Sequence, residues 1–134
     1  MGASKRYVII DDDKANNMLC KMICKKVFGE VDTISFDIPE EGLNFISDQY
    51  SDNTKITPTV LFLDINMPGL TGWEFMEKYK SFNKSIQEQF TIYMLSSSVD
   101  HKDKDLARSN PLVKGYISKP LTREKLKELF TTEI

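Results

Sequence analysis

The sequence predicts an α/β fold in which helices cover both faces of a parallel β-sheet. Short apolar runs, among them TVLFLD at 59–64, alternate along the chain with segments whose apolar residues recur at helical spacing. The runs are almost continuously apolar, which is typical of strands buried on both faces of a parallel sheet. Strict alternation of strand and helix favours right-handed crossover connections between strands that run in the same direction.

The first half of the chain is predicted to run strand, helix, strand, helix. The strand YVII at 7–10 leads into a helix whose apolar residues recur at helical spacing: Ala15, Leu19, Met22, Ile23 and Val27. Gly29 stands where this helix should stop, since glycine is favoured just after a helix. The β-forming residues 31–36 predict a second strand, and Asp37 with Pro39 supplies the start signals of a second helix.

The second half repeats the alternation. The polar run at 51–58 is the clearest loop, and the strand at 59–64 is followed by MPGLTG at 67–72, a predicted turn. The remaining elements are a helix over 72–82, a strand at 91–96, a polar helix around 103–109, a strand at 113–118 and a last helix after Thr122. We interpret the connection at 83–89 as a surface loop. The prediction is therefore five strands and five helices.

Composition narrows the possible function classes. The chain has 134 residues, enough for one domain with its own apolar core. Its net charge is −2 and no basic stripe suggests a nucleic-acid surface. No membrane span or signal peptide is indicated, so we expect a cytoplasmic protein. Cys20 and Cys24 lack the partners that a zinc site needs, so we expect reduced structural thiols.

Carboxylates end two of the predicted strands. Asp11 and Asp12 follow the first strand, and Asp64 ends the third. The carboxyl ends of parallel strands form one edge of the sheet, so these side chains should meet if the first and third strands are neighbours. Like charges repel at contact distance, and a cation should compensate them. Mg²⁺ suits two or three carboxylates combined with water and a phosphate oxygen, which predicts a magnesium site.

Two further residues lie at the same predicted edge. Ser96 ends the fourth strand and Lys119 follows the fifth. An anion above Asp64 would meet a metal, an ammonium and a hydroxyl donor, which favours a phosphoryl group. Asp64 can itself be the nucleophile, because aspartyl phosphate is a known type of covalent intermediate. A simpler reading of residues 11–13 is a cap at the start of the first helix, and capping can coexist with metal binding.

Four sequence motifs fall at the ends of four separate predicted strands. They are VIIDDD at 8–13, LFLDINMPGLTG at 61–72, MLSSS at 94–98 and GYISKP at 115–120. With these motifs the sequence resembles the receiver domain of two-component response regulators. The resemblance implies a flavodoxin-like (βα)5 fold, a three-layer α/β/α arrangement with strand order 2-1-3-4-5. We expect a single receiver domain over 1–134 with no output domain, because the sequence stops just after the last predicted helix.

The resemblance assigns a metal-binding and phosphoaccepting set of residues. It makes Asp64 the phosphoacceptor and Asp12 a direct Mg²⁺ ligand. Asp11 would act on the ion mostly through coordinated water, and Asn66 would offer its backbone carbonyl. The phosphoryl donor would be a sensor histidine kinase or a phosphotransfer protein.

The resemblance also assigns a switch. Lys119 and Ser96 would contact the phosphoryl group, and Tyr116 stands in the place of the family's rotameric aromatic. Pro120 would follow a cis bond. Ser96 would move to the new phosphoryl oxygen and Tyr116 would turn inward, which would reshape the face made by the fourth predicted helix, the fifth strand and the last helix. That face would contact an unknown downstream protein or serve a phosphorelay, with the chain a monomer or a weak phosphorylation-dependent dimer.

Two other function classes remain open. A phosphatase of the haloacid-dehalogenase type also starts from an aspartate at a strand end, but it wants an acid two residues later, where this chain has Asn66. Such a phosphatase also needs a substrate cap domain, for which this chain has no room. A receiver-shaped docking module that is never phosphorylated would be expected to lose motif residues, and all of them are present. The favoured reading is a signalling phosphoacceptor, which is not an enzyme beyond catalysing its own phosphorylation and slow dephosphorylation.

Overall fold

The computed structural model describes residues 6–52, 54–97 and 100–131 of the chain. Strands and helices alternate over this part, and the observed elements are β1 (Arg6–Ile10), α1 (Lys14–Phe28), β2 (Asp32–Phe36), α2 (Pro39–Tyr50), β3 (Thr59–Asp64), α3 (Gly72–Tyr79), α4 (Lys84–Gln87), β4 (Phe90–Ser96), α5 (His101–Ser109), β5 (Val113–Ser118) and α6 (Arg123–Thr131). None of the helices in these residues is long and apolar enough to cross a membrane.

The strands form a parallel sheet in the order β2-β1-β3-β4-β5, which confirms the predicted order. β1 lies beside β3, and Ile10 is paired with Leu63, so the residues that follow each of them are neighbours. On the other side of β3, Asp64 is paired with Leu95 of β4. The register therefore brings the ends of β1, β3, β4 and β5 to one edge of the sheet.

Successive residues of the central strands point to opposite faces of the sheet and pack into two apolar clusters. In β1, Val8 and Ile10 belong to a cluster with residues of α2 and α3, whereas Tyr7 and Ile9 belong to a cluster with residues of α1 and α6. All four are at most 3% exposed. Because both faces of the sheet are buried, the strands read as continuous apolar runs.

Helix α1 ends at Gly29 as predicted, with Gly29 at a φ of 81° that favours glycine. Two of the apolar residues that indicated this helix, Leu19 and Met22, are 42% and 51% exposed, while Cys20 and Cys24 are fully buried. Both cysteines are free, in agreement with the prediction of structural thiols. Burial is the main cause that raises the pKa of each thiol to about 12, so both stay in the unreactive thiol form.

The prediction of a loop at 83–89 is wrong for its middle, which forms the short helix α4. The Asn83 carbonyl accepts a hydrogen bond from the Ile86 amide at 3.0 Å, and Ile86 is buried against the sheet's apolar cluster. The burial of Ile86 stabilises this short helix. A single apolar residue in a polar stretch gives no periodic pattern, so the sequence did not predict the helix. α3 ends earlier than predicted, at Tyr79, and the described residues contain six helices rather than five.

Gly72 begins α3 and lies directly against the backbone that follows β3. A Cβ placed on Gly72 would lie 2.5 Å from the Asp64 carbonyl oxygen and 2.9 Å from Ile65 Cα. The backbone of a buried strand end cannot move aside easily, so we expect Gly72→Ala to lower the free energy of unfolding by about 1–3 kcal/mol. Urea denaturation measures this change.

Gly42→Ala, in α2, is the matched control for this prediction. A Cβ on Gly42 would also lie 2.5 Å from a neighbouring atom, but that atom is the movable Cδ1 of Ile10. The side chain can turn away and alanine favours a helix, so we expect a change within about 1 kcal/mol. Equal losses at both glycines would show that backbone contact is not what makes Gly72 special.

Candidate functional site

Three carboxylates meet at the carboxyl ends of β1 and β3. One oxygen from each of Asp11, Asp12 and Asp64 lies within 4.8 Å of the other two. Asp11 is fully buried and Asp64 is 3% exposed, while Asp12 faces solvent. The structure therefore brings together the three acids that the sequence placed at the ends of two strands.

The ammonium of Lys119 lies between two of these acids. Its Nζ is 2.7 Å from Asp11 Oδ2 and 3.3 Å from Asp64 Oδ1. Lys119 follows β5, so its side chain reaches past the end of β4 to the carboxylates. Its backbone N–H donates to the Ser96 carbonyl at 2.8 Å, which ties the start of the β5–α6 loop to the end of β4. Part of the charge that compensates the acids thus comes from the protein itself.

Asp11 is held by groups whose role the sequence patterns did not reveal. The Asp13 amide donates to Asp11 Oδ1 at 2.9 Å, and Asn16 Nδ2 donates to Asp11 Oδ2 at 2.7 Å. Asn17 Nδ2 donates to the Asp11 carbonyl oxygen at 2.8 Å. The helix-cap reading applies to Asp13, whose side chain accepts from two backbone amides in the first turn of α1. In the sequence, the one sign of these hydrogen bonds to Asp11 is the presence of Asn16 and Asn17 in the first turn of α1.

The charges around the site determine which groups are ionised. Burial, followed by the charge of Asp11, raises the pKa of Asp64 to about 7, although Lys119 acts in the opposite direction. For Lys119, burial favours the neutral form, but the hydrogen bonds and charges of Asp11 and Asp64 outweigh it and raise the pKa of the ammonium. Lys119 therefore stays protonated at neutral pH, where Asp64 is close to its own titration point.

The chain turns sharply after Asp64. The Gly72 amide donates to the Ile65 carbonyl at 2.8 Å and closes the turn, and Gly69 within it has a φ of 84°. The Asn66 amide lies 3.4 Å from Asp64 Oδ1, and the Asn66 side chain is exposed. The turn places Asn66 next to Asp64, at the solvent side of the site.

Ser96 and Tyr116 lie on the other side of Asp64. Ser96 ends β4, the strand beside the one that Asp64 ends, and it is fully buried. Tyr116 lies in β5 and is half-buried. The Lys119–Pro120 peptide bond is cis. Ser98, the last residue of the MLSSS motif, is outside the described residues.

Trp73 connects α3 to α5. Its Nε1 donates to Asp103 Oδ1 at 2.9 Å, across 30 positions of sequence. Trp73 follows Gly72, which packs against the Asp64 carbonyl, so this bond links the turn after Asp64 to the helix that follows β4. No spacing rule predicts a contact between residues so far apart in the chain.

The chain matches the family model of the response regulator receiver domain over residues 7–131. It belongs to this family. A two-component response regulator from Cytophaga hutchinsonii is 28% identical, with a TM-score of 0.85 and 96% of each chain covered. A response regulator receiver protein from Dyadobacter fermentans is 26% identical, with a TM-score of 0.81 and 95% of each chain covered. No curated protein is similar enough to the chain to count as a match.

Another similar solved structure is the CheY-like receiver domain protein from Methanospirillum hungatei, which is 26% identical, with a TM-score of 0.70, 96% of this chain covered and 92% of that one. The fold is thus the flavodoxin-like fold of CheY-like receivers. Receivers are signalling phosphoacceptors of two-component systems, not enzymes in the ordinary sense. Membership therefore gives the coarse function, acceptance of a phosphoryl group in signalling, with a histidine kinase or phosphotransfer protein as partner.

Asp64→Asn is expected to stabilise the metal-free protein at alkaline pH and not at acidic pH. The folded pKa of Asp64 is raised to about 7 from 3.8, so folding takes up a proton between these values and stability falls as the pH rises through that window. At pH about 8 in EDTA, removing the buried charge should raise the free energy of unfolding by about 1–3 kcal/mol. Urea denaturation at several pH values measures the difference.

The difference between the two proteins should shrink towards zero as the pH falls to about 4, because the carboxyl is then protonated in the folded protein. A stability difference that does not change with pH would contradict the raised pKa of Asp64.

Proposed function

We propose that Asp64 accepts a phosphoryl group from a phosphohistidine, in a reaction that depends on Mg²⁺. The donor is the phosphohistidine of a sensor histidine kinase or of a phosphotransfer protein. The observation that carries the proposal is the Lys119 ammonium, 3.3 Å from Asp64 Oδ1, beside three carboxylates whose oxygens lie within 4.8 Å of one another. Phosphoryl transfer needs mainly positioning and charge neutralisation, and this arrangement offers both.

The acid cluster fits Mg²⁺ by its chemistry. Asp11, Asp12 and Asp64 offer hard oxygen donors, and Asp12 is open to solvent, so water can complete the coordination. The Asn66 carbonyl would be a further ligand. Burial, followed by the charge of Asp11, raises the pKa of Asp64, and a nearby cation would counteract this shift. When bound, the ion supplies positive charge that favours the carboxylate form of Asp64 and offsets charge on the transferred group.

Asp64 acts as the nucleophile. One carboxylate oxygen forms a bond to phosphorus while the bond from phosphorus to the donor histidine breaks, and the imidazole leaves with a proton on its other nitrogen. Lys119, which contacts both Asp11 and Asp64, shifts its ammonium towards an oxygen of the phosphoryl group. The Ser96 hydroxyl donates to another of these oxygens from the end of the neighbouring strand.

The phosphorylated state is read out through α5, β5 and α6. Ser96 moves towards the phosphoryl group, and Tyr116 turns inward into the space that this movement opens. The support is positional, because Ser96 is fully buried and is paired with Ser118, two residues after the half-buried Tyr116. The changed face then contacts a downstream protein, either as its direct regulator or as one step of a relay.

Incubation with acetyl phosphate or phosphoramidate should add one phosphoryl group, detected by intact mass. The adduct should require Mg²⁺, and Asp64→Asn should abolish it because the nucleophile is gone. Lys119→Met should lower the rate constant by about 100-fold, since it removes a cation aimed at the charge that develops during transfer.

Asp48→Asn, which changes an exposed acid of α2, is the control and should keep the wild-type rate. An adduct that survives Asp64→Asn would assign the phosphoacceptor to another residue. If neither phosphodonor gives an adduct and beryllofluoride does not bind, the protein is a docking module instead.

A further inference from the structure

Lys125 occupies a position where a lysine is disfavoured, in the first turn of α6. It is the third residue of that helix, and its backbone N–H donates to Thr122 Oγ1 at 3.1 Å. At the corresponding start of α3, Glu74 stands three residues after Thr71 and completes a capping box. An ammonium in the first turn opposes the helix dipole, which favours negative charge there. Such a local conflict calls for a compensating interaction.

The compensating interaction is with the backbone around Lys119. Lys125 Nζ donates to the Ser118 carbonyl at 2.6 Å and to the Pro120 carbonyl at 2.9 Å. These two carbonyls flank Lys119, and the Lys119 N–H donates to the Ser96 carbonyl at 2.8 Å. The backbone on both sides of Lys119 is therefore tied down, to β4 through Ser96 and to α6 through Lys125.

The position of this backbone decides where the Lys119 ammonium can lie. Lys119 has a long, flexible side chain, and its Nζ contacts carboxylates at the ends of two different strands, at 2.7 Å from Asp11 Oδ2 and 3.3 Å from Asp64 Oδ1. If the Lys119 backbone is held in place, its side chain favours the rotamers that bring Nζ to both carboxylates. Displacing a reacting or charge-stabilising group by about 1 Å can lower a rate by about 100-fold.

We propose that Lys125 is a positioning residue for Lys119, holding the loop from which Lys119 reaches the site and thereby raising the rate at which Asp64 takes a phosphoryl group. The rate effect rests on the function proposed above. Lys125 acts through the backbone, because its Nζ donates to the carbonyls on either side of Lys119. Its loss should therefore change the rate constant for phosphorylation and leave the affinity for Mg²⁺ as it is.

Lys125→Met removes the ammonium and keeps the length of the side chain. With phosphoramidate at saturating Mg²⁺, we expect the rate constant to fall about three- to tenfold, because water can replace part of the two lost bonds. The Mg²⁺ concentration for half-maximal rate should stay within about twofold. Lys125→Arg, whose guanidinium can donate to both carbonyls, should restore the rate constant to within about twofold of wild type.

Lys127→Met removes an exposed lysine two residues later on the same helix and is the matched control. It should phosphorylate at the wild-type rate. A wild-type rate in Lys125→Met overturns the proposal. An equal loss in both variants overturns it as well, because the effect would then come from the charge of α6 and not from the loop.

Hydrogen exchange of the Lys119 amide, followed by NMR, tests the positioning role with no phosphodonor present. Lys125→Met should speed exchange of this amide several-fold, because the loop opens more often, whereas Lys127→Met should not. If the wild-type protein takes up no phosphoryl group, the proposed function fails, and the exchange rates still decide whether Lys125 holds the loop. Unchanged exchange overturns the positioning role even if phosphorylation proceeds normally.

Discussion

The ammonium of Lys119, between the buried carboxylates of Asp11 and Asp64, is the interaction on which the rest of the site depends. Two ionised carboxylates so close together in a poorly solvated place repel each other, and burial already raises the pKa of Asp64. Lys119 offsets part of this repulsion from a loop that follows another strand. The contact is possible because the parallel sheet aligns the ends of β1, β3 and β5 at one edge.

Under the proposed function, this arrangement would convert a change in charge into a change in packing. A phosphoryl group on Asp64 would add negative charge next to the Lys119 ammonium, which already contacts both Asp11 and Asp64. The contacts of Lys119 would therefore have to rearrange. The backbone of Lys119 is bonded to Ser96 and, through its neighbours, to Lys125. A shift of this loop on phosphorylation would therefore act on the end of β4 and on the start of α6.

Strand ends and their charged residues could be predicted from the sequence because a strand buried on both faces leaves an apolar run that a polar residue ends. This pattern predicted the positions of Asp11, Asp64 and Lys119. In the structure Lys119 contacts both acids. Helix α4 could not be predicted, because Ile86 is a single buried residue in a polar stretch and gives no helical periodicity. The contacts of Lys125 could not be predicted either, since its ammonium meets the Ser118 and Pro120 carbonyls only in the folded chain.

A crystal structure with Mg²⁺ and beryllofluoride, which stands in for a phosphoryl group, tests most directly whether Asp64 is the phosphoacceptor. We predict beryllium bonded to a carboxylate oxygen of Asp64, fluorine atoms in contact with Lys119 and Ser96, and the metal held by Asp12. Beryllofluoride bound elsewhere, or an unmodified Asp64 with Lys119 still between it and Asp11, would contradict the proposed function.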